Sequence, residues 1–107
     1  MLLIREVFRC KPGKVRQMVE KFHAMSDLNE QAGFGRMRVM TDFAGEHYWT
    51  IVAEMEMESM AAFEDAMSGK GMTEDMSKQF EVIMKDYHDL IDHGHREIFK
   101  IEEKKNA

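Results

Sequence analysis

The sequence predicts an α+β fold in which a four-stranded antiparallel sheet carries helices on one face, and three observations predict it. Apolar residues recur at helical spacing in two regions, after residue 15 and after residue 60. Four other segments alternate apolar and polar residues, as half-buried strands do. No repeat or long linker divides the 107 residues. We therefore expect one domain over residues 1–107, with a polar tail from about residue 103.

Turn and capping residues divide the chain into elements. Pro12 and Gly13 end the first strand, and Gly94 is a natural C-terminal stop for the last helix. Ser59 and Thr73 are good helix N-caps. The predicted elements are a strand over 2–10, a helix over 15–31, strands over 36–43 and 47–57 joined as a hairpin, a short helix over 60–67, a longer helix from 73 to about 90, and a strand over 95–102. This order is the split βαβ arrangement of a ferredoxin-like domain.

Strand alternation sorts the side chains into two faces of the predicted sheet. The face beneath the helices is predicted to hold Leu2, Ile4, Phe8, Met37, Val39, Trp49, Ile51, Ala53, Met55, Phe99 and Ile101. The opposite face is predicted to hold Leu3, Arg5, Val7, Arg9, Arg36, Arg38, Met40, Tyr48, Thr50, Val52, Glu54, Arg96, Ile98 and Lys100. This second face mixes apolar residues with arginines and acids. Packing of two sheets would bury Val7, Val52 and Ile98, which predicts a homodimer; a monomer with one solvated face is the alternative.

Composition limits the partners and the compartment. The formal net charge of −5 disfavours a nucleic-acid partner. No apolar run approaches the ~20 residues that a membrane span needs, and the N-terminal residues do not resemble a signal peptide. Cys10 is the single cysteine, so no intrachain disulfide forms, which fits the reducing cytoplasm.

Two segments carry a family resemblance. Residues 5–14, followed by the helix start at 15–22, and the strand-to-helix passage over residues 51–64 resemble the dimeric α/β-barrel superfamily. This group includes NIPSNAP-like proteins and small antibiotic-biosynthesis monooxygenases. The resemblance implies a homodimer with two sheets packed face to face, and often a pocket between sheet and helices. Its members include cofactor-free oxygenases, haem-handling proteins and isomerase-like enzymes, and no catalytic set matches residue by residue.

Four residues are candidates for the wall of such a pocket. His47 and Trp49 share a face of the third predicted strand, where they could orient an aromatic ligand. Glu6 is the one acid among the apolar residues of the first strand, and His88 lies near the end of the last helix. The 12 methionines suit an adaptable surface. Each feature also has a structural explanation: a Met-rich core, an aromatic core residue beside an exposed histidine, and a carboxylate paired with an arginine.

A cluster of histidines near the C-terminus is the candidate metal site. His88, His93 and His95 lie beside Asp89 and Asp92, and imidazoles with carboxylates can bind a divalent metal. Histidines near a helix C-terminus also interact favourably with the helix dipole. We adopt the second interpretation and expect no tightly bound metal and no cofactor.

Three smaller motifs carry no function. Residues 69–73 contain glycines and a lysine before a helix but lack the strand and the spacing of a phosphate-binding loop. Residues 33–35 lead into a strand, so they are not a dinucleotide fingerprint. Cys10 lies between Arg9 and Lys11, which could lower its pKa, but it has no partner cysteine, so we interpret it as incidental.

Three functions are consistent with the sequence. The first is binding of a small hydrophobic or aromatic molecule between sheet and helices, either by a binding protein or by a cofactor-free monooxygenase-like enzyme. The second is a dimeric interaction module without chemistry. The third is a metal or haem protein that uses the C-terminal histidines.

Overall fold

A computed structural model describes residues 1–104 and confirms the predicted fold class. Its elements are β1 (Leu2–Cys10), α1 (Val15–Gln31), β2 (Arg38–Thr41), β3 (Thr50–Met57), α2 (Met60–Met67), α3 (Glu74–Met84), a 3₁₀ turn (Tyr87–Leu90) and β4 (Ile91–Lys100). The element order is the predicted one. Part of the predicted polar tail, residues 105–107, lies outside the described residues.

The four strands form one antiparallel sheet in the order β2-β3-β1-β4. β1 therefore lies in the interior of the sheet, between β3 and β4. Its register places Ile4 opposite Met55 on β3 and opposite Ile98 on β4. This is the strand order of a ferredoxin-like domain, and it leaves one sheet face for the helices.

The core lies between α1 and the sheet. Met18, Val19 and Phe22 are buried on α1 and pack with Ile51 and Ala53 of β3. These α1 residues recur at helical spacing, so one face of the helix meets the sheet. Ser26 is buried on the same helix, and its Oγ accepts a hydrogen bond of 2.8 Å from the Met37 amide, which ties α1 to the entrance of β2.

Both predicted N-caps are confirmed. The Ser59 hydroxyl accepts a hydrogen bond from the Ala62 amide at the start of α2, and the Thr73 hydroxyl accepts one from the Met76 amide at the start of α3. The C-terminal end of α3 is held differently. Lys21 of α1 donates from Nζ to the carbonyls of Ile83 (2.7 Å) and Lys85 (2.9 Å), so a cation satisfies carbonyls that the helix leaves free.

The boundaries of β3 differ from the prediction. β3 begins at Thr50 rather than at residue 47, and residues 42–49 form a longer connection than a tight hairpin turn. Asp42 causes the late start, because its Oδ1 accepts a 2.7 Å hydrogen bond from the Thr50 amide while its own amide donates to the Thr50 carbonyl. Trp49 has a left-handed backbone with φ 63°, which a strand does not allow.

The last helix and β4 also differ. α3 ends at Met84, and Asp86 takes a left-handed backbone before the 3₁₀ turn. β4 begins at Ile91, so Gly94 is a strand residue and the prediction that it ends a helix is wrong. Gly94 lies opposite Phe8 of β1. A glycine is needed there because the Phe8 ring covers the space of a Cβ.

The face assignment of β4 is reversed as well. Ile98 and Arg96 pair with Ile4 and Glu6 of β1, so they share the helix-facing side. Phe99 pairs with Leu3 on the opposite face. A shift of one residue in the pairing of a strand exchanges its two faces. The alternation within β4 alone does not determine which set of side chains faces the helices.

Among residues 1–104, no helix has the length and apolar character that crossing a membrane requires.

Candidate functional site

A cavity of about 530 Å³ lies between the sheet and the three helices. Ile4, Phe8 and Ala53 contribute to its sheet side, and Phe22 of α1 and Phe80 of α3 contribute to its helical side. The volume lies within the range of about 300–1,000 Å³ that small-molecule pockets span. The cavity exists because α3 packs on α1 and stands away from the sheet.

Aromatic rings and thioethers form most of the wall. The aromatic residues are Phe8, Phe22, Phe34, Phe63, Phe80 and Tyr87. The methionines are Met25, Met37, Met55, Met57, Met67, Met72 and Met84. The expectation that methionines border the cavity is thus confirmed. Rigid rings and flexible thioethers together make a surface that adapts to flat apolar ligands.

Part of the aromatic wall is a connected cluster. The ring centroids of Phe8 and Phe22 are 5.7 Å apart, and Tyr87 meets Phe8 edge to face at 6.5 Å. Both separations lie within the range of favourable aromatic pairs. The cluster joins β1, α1 and the 3₁₀ turn and fixes the shape of this side of the cavity.

An ion pair brings charge to the apolar wall. Arg96 of β4 donates from Nε to Glu6 Oε1 of β1, directly across the strand pair. The guanidinium carbon of Arg96 lies 5.1 Å from the ring centroid of Phe63 on α2, in cation–π geometry. The Glu6 side chain is 24% exposed and that of Arg96 is 39% exposed. Glu6 therefore reaches the predicted pocket, where it meets a cation.

Arg96 was not among the predicted wall residues, because strand alternation placed its side chain on the other face of the sheet. The sequence nevertheless contains a signal that such a cation is required, namely Glu6 among the apolar residues of β1. A carboxylate on a helix-facing strand position needs a positive partner, and Arg96 on β4 pairs directly with Glu6 in the register.

The other three predicted ligand-binding residues lie outside the cavity wall. Trp49 and His47 belong to the connection over residues 42–49, where Trp49 is 41% exposed. The prediction that they lie on a strand beneath the helices is wrong. His88 is exposed on the 3₁₀ turn, and its ring is tilted against that of Tyr87, a wall residue, with ring centroids 4.0 Å apart. Any ligand contact by these three residues stays a prediction.

The C-terminal histidines are spread over different surfaces. His93 and His95 lie on β4, opposite Arg9 and Val7 of β1, and therefore on the sheet face away from the helices. The interpretation that the cluster terminates a helix is wrong for them, because β4 has already begun. Within the described part of the chain, no group of three or more His, Cys, Asp or Glu side chains is arranged to hold a metal ion.

The sheet face away from the helices, here called the outer face, carries a row of charges across all four strands. Arg38 of β2 donates to Glu54 of β3 at 2.6 Å. Arg5 of β1 lies between Glu54 and Glu97 of β4, at 2.8 and 3.0 Å. His95 lies 3.1 Å from Glu97 and extends the row. Charges alternate along this row, so each carboxylate meets two basic groups.

Glu54 is the buried centre of this row, with 8% exposure. Its hydrogen bond to Arg38, and then its negative charge, raise the pKa of that guanidinium. Its contact with Arg5 is of a different kind. Arg5 Nε is close to Glu54 Oε2, but its N–H does not point at an acceptor, so the contact is an ion pair without a hydrogen bond.

Apolar side chains flank the row of charges. Met40, Val52 and Val7 lie side by side on β2, β3 and β1, next to His95 of β4. The three apolar residues are half-buried in this single chain. The outer face thus presents apolar area beside fixed, already paired charges.

Cys10 is 1% exposed at the end of β1. Burial, and secondly the negative charge of Asp42, raise the pKa of its thiol. The neighbouring cations Arg9 and Lys11, which could lower this pKa, do not outweigh those two effects. A buried thiol of this kind is not an activated nucleophile.

No protein-family model matches the chain. No curated protein matches it either.

Solved structures do resemble it. An uncharacterised NIPSNAP domain protein from Burkholderia xenovorans superposes with a TM-score of 0.74 at 13% identity, covering 100% of both chains. A NIPSNAP family protein of unknown function from Agrobacterium tumefaciens gives 0.71 at 16% identity, covering 94% of this chain and 87% of that one. A candidate antibiotic biosynthesis monooxygenase from Deinococcus radiodurans gives 0.66 at 8% identity, covering 100% of this chain and 98% of that one. The resemblance inferred from the sequence is confirmed at the level of the fold: this chain has the ferredoxin-like fold of NIPSNAP-like proteins and of that monooxygenase-like protein.

Proposed function

We propose that this protein binds a small, flat, hydrophobic molecule in the cavity between its sheet and its helices. The single observation that carries the proposal is the cavity wall, in which aromatic rings and methionines surround about 530 Å³. Ligand pockets are concave and mostly apolar, with a few polar groups that orient the ligand. The Glu6–Arg96 pair supplies such groups here.

We further propose that the protein acts as a homodimer through its outer face. Met40, Val52 and Val7 are apolar residues for which water is a poor partner. The adjacent charges are already paired within the chain, so a second copy could cover this face without leaving unpaired ions. A dimer would leave the cavity on the far side of each sheet, accessible to ligand.

Methionine methyl groups offer a direct test. Carbon-13 labelling of the ε-methyl groups gives one NMR signal for each of the 12 methionines. Addition of naphthalene should shift the signals of cavity methionines such as Met55 and Met84 saturably. The signal of Met40, on the outer face, should stay in place.

A cavity-filling substitution with a matched control tests the location. Ala66 lines the cavity from α2, whereas Ala61 on the same helix is exposed. Ala66→Phe should abolish the naphthalene-induced shifts, and Ala61→Phe should leave them intact. The proposal is wrong if no planar aromatic compound shifts these methyl signals, or if Ala66→Phe binds as the natural protein does.

A further inference from the structure

The charged groups on the cavity wall decide which ligands fit. Among the described residues 1–104, the wall contains two carboxylates, Glu6 and Glu81, and one guanidinium, Arg96. Their formal sum is one negative charge. An anionic ligand would therefore enter an apolar site against a net negative wall, and burial of an uncompensated charge is costly.

The Glu6–Arg96 pair leaves hydrogen-bonding capacity on both partners. Arg96 uses Nε for Glu6 Oε1, and a guanidinium has four further N–H groups. Glu6 has a second carboxylate oxygen. Phe63 lies against one face of the guanidinium, and the remaining N–H groups point outward in the plane of the guanidinium, where a ligand can accept from them.

Resting on the proposed function, we propose that the cavity selects uncharged ligands that carry a donor and an acceptor side by side, such as a primary amide, and rejects carboxylates of the same shape. The amide N–H donates to the free oxygen of Glu6, and the amide carbonyl accepts from Arg96. A carboxylate offers two acceptors and no donor. It can accept a hydrogen bond from Arg96 only by lying next to the negatively charged Glu6.

Two isosteric probes separate these possibilities. 2-Naphthamide and 2-naphthoate share one aromatic body and nearly the same shape, and they differ in charge and in the N–H donors. Titrations followed by the methionine methyl signals should show 2-naphthamide binding about ten-fold or more tightly, since hydrogen bonds to charged groups are among the stronger ones. Equal or tighter binding of 2-naphthoate to the natural protein overturns the selectivity inference.

Glu6→Gln raises the formal charge of the wall from −1 to zero with a side chain of nearly the same size. It leaves Arg96 without its carboxylate partner, so the affinity for 2-naphthoate, measured relative to that for naphthalene in the same variant, should rise about ten-fold. Arg96→Met is a second variant, which removes the donor to the amide carbonyl. It should lower the affinity for 2-naphthamide relative to that for naphthalene in the same variant. The inference is wrong if Glu6→Gln does not increase the relative affinity for 2-naphthoate, or if Arg96→Met does not lower the relative affinity for 2-naphthamide. Loss of naphthalene binding in the natural protein would instead contradict the cavity itself.

Discussion

The ring of Phe8 covers Gly94 on the neighbouring strand, so closely that a Cβ at Gly94 would overlap Cδ1 and Cε1 of the ring. The backbone of Gly94 has no left-handed φ, so space alone requires the glycine. Phe8 also lines the cavity and contacts Phe22. The packing of one strand pair therefore determines the position of a cavity wall.

Gly94→Ala should lower the free energy of unfolding by about 1–3 kcal/mol, the usual cost of overpacking. Phe8 must turn toward the cavity, so naphthalene binding should weaken too. Urea denaturation measures the first effect. Gly45→Ala is the control, because a Cβ there meets only Asp42 Cβ at 3.9 Å. Equal stabilities for the two variants would contradict this account.

Glu54→Ala should destabilise the fold more than Glu56→Ala does. Glu54 is buried between Arg5 and Arg38, and its loss leaves the buried Nε of Arg5 without its ion-pair partner. The partly buried Arg5 guanidinium then loses a compensating charge, which costs about 1–3 kcal/mol. Glu56 is exposed on the same strand, and its removal should change stability little. Urea denaturation gives the free energy of unfolding of both variants. Equal values for the two would contradict a stabilising role of the buried Glu54 carboxylate.

Val52→Asp should shift the proposed dimer toward monomer. The substitution puts a charge among Val7, Met40 and the row of paired ions on the outer face, where a second copy would have to bury it. Val82→Asp is the control, since Val82 is 73% exposed on α3. Light scattering of the natural protein and both variants reports the mass. A natural protein that is monomeric, or a Val52→Asp protein that remains dimeric, removes the proposed interface.

The Cys10 thiol should react slowly with disulfide reagents near pH 7 and rapidly once the protein is unfolded. Its pKa is raised in the folded state by burial and by Asp42, so folding favours the neutral thiol. The thiol's contribution to stability is therefore complete below the unfolded pKa of roughly 8.5 and is lost as pH rises through the folded pKa. Urea denaturation of the natural protein and of Cys10→Ala should give a stability difference that is constant up to about pH 8 and changes above it. A constant difference up to pH 10 would mean that the thiol is solvated.

Lys21→Met should loosen α3 without affecting the sheet. Lys21 satisfies the carbonyls of Ile83 and Lys85, and α3 has no buried residue of its own. Short helices with little tertiary packing are marginal in water. Amide hydrogen exchange should accelerate in α3 and stay slow in β1. Arg16→Met, an exposed position on α1, should leave both unchanged; equal exchange in α3 for the two variants would assign Lys21 no anchoring role.

Local signals in the sequence predicted most of the elements. The Ser59 and Thr73 caps and the apolar face of α1 depend on neighbours within one turn, so their residues suffice to identify them. Strand alternation also placed Arg5 and Glu54 on the same face of the sheet, where the structure joins them in an ion pair.

The errors arose where distant residues decide. Which side chains of β4 face the helices depends on two contacts, Phe8 with Gly94 and Glu6 with Arg96. The residues of each pair are separated by most of the chain. Trp49 lies outside β3 because Asp42 accepts a hydrogen bond from the Thr50 amide and because the Trp49 backbone itself has a left-handed φ. Alternation within one segment contains no information about these partners.

The position of β1 also affects how the protein can fold as it is synthesised. β1 is synthesised before the other three strands, yet it lies between β3 and β4 in the finished sheet. The β2–β3 pair and α1 can form from neighbouring segments, whereas the β1–β4 pair joins residues such as Leu2 and Lys100. Such distant pairing slows folding. Until β4 is available, one edge of β1 remains open beside the apolar side chains of Ile4 and Phe8, and an open apolar strand edge is a template for aggregation. Pairing with β4 thus covers the open edge of β1. A chain shortened before residue 91 should therefore aggregate rather than fold.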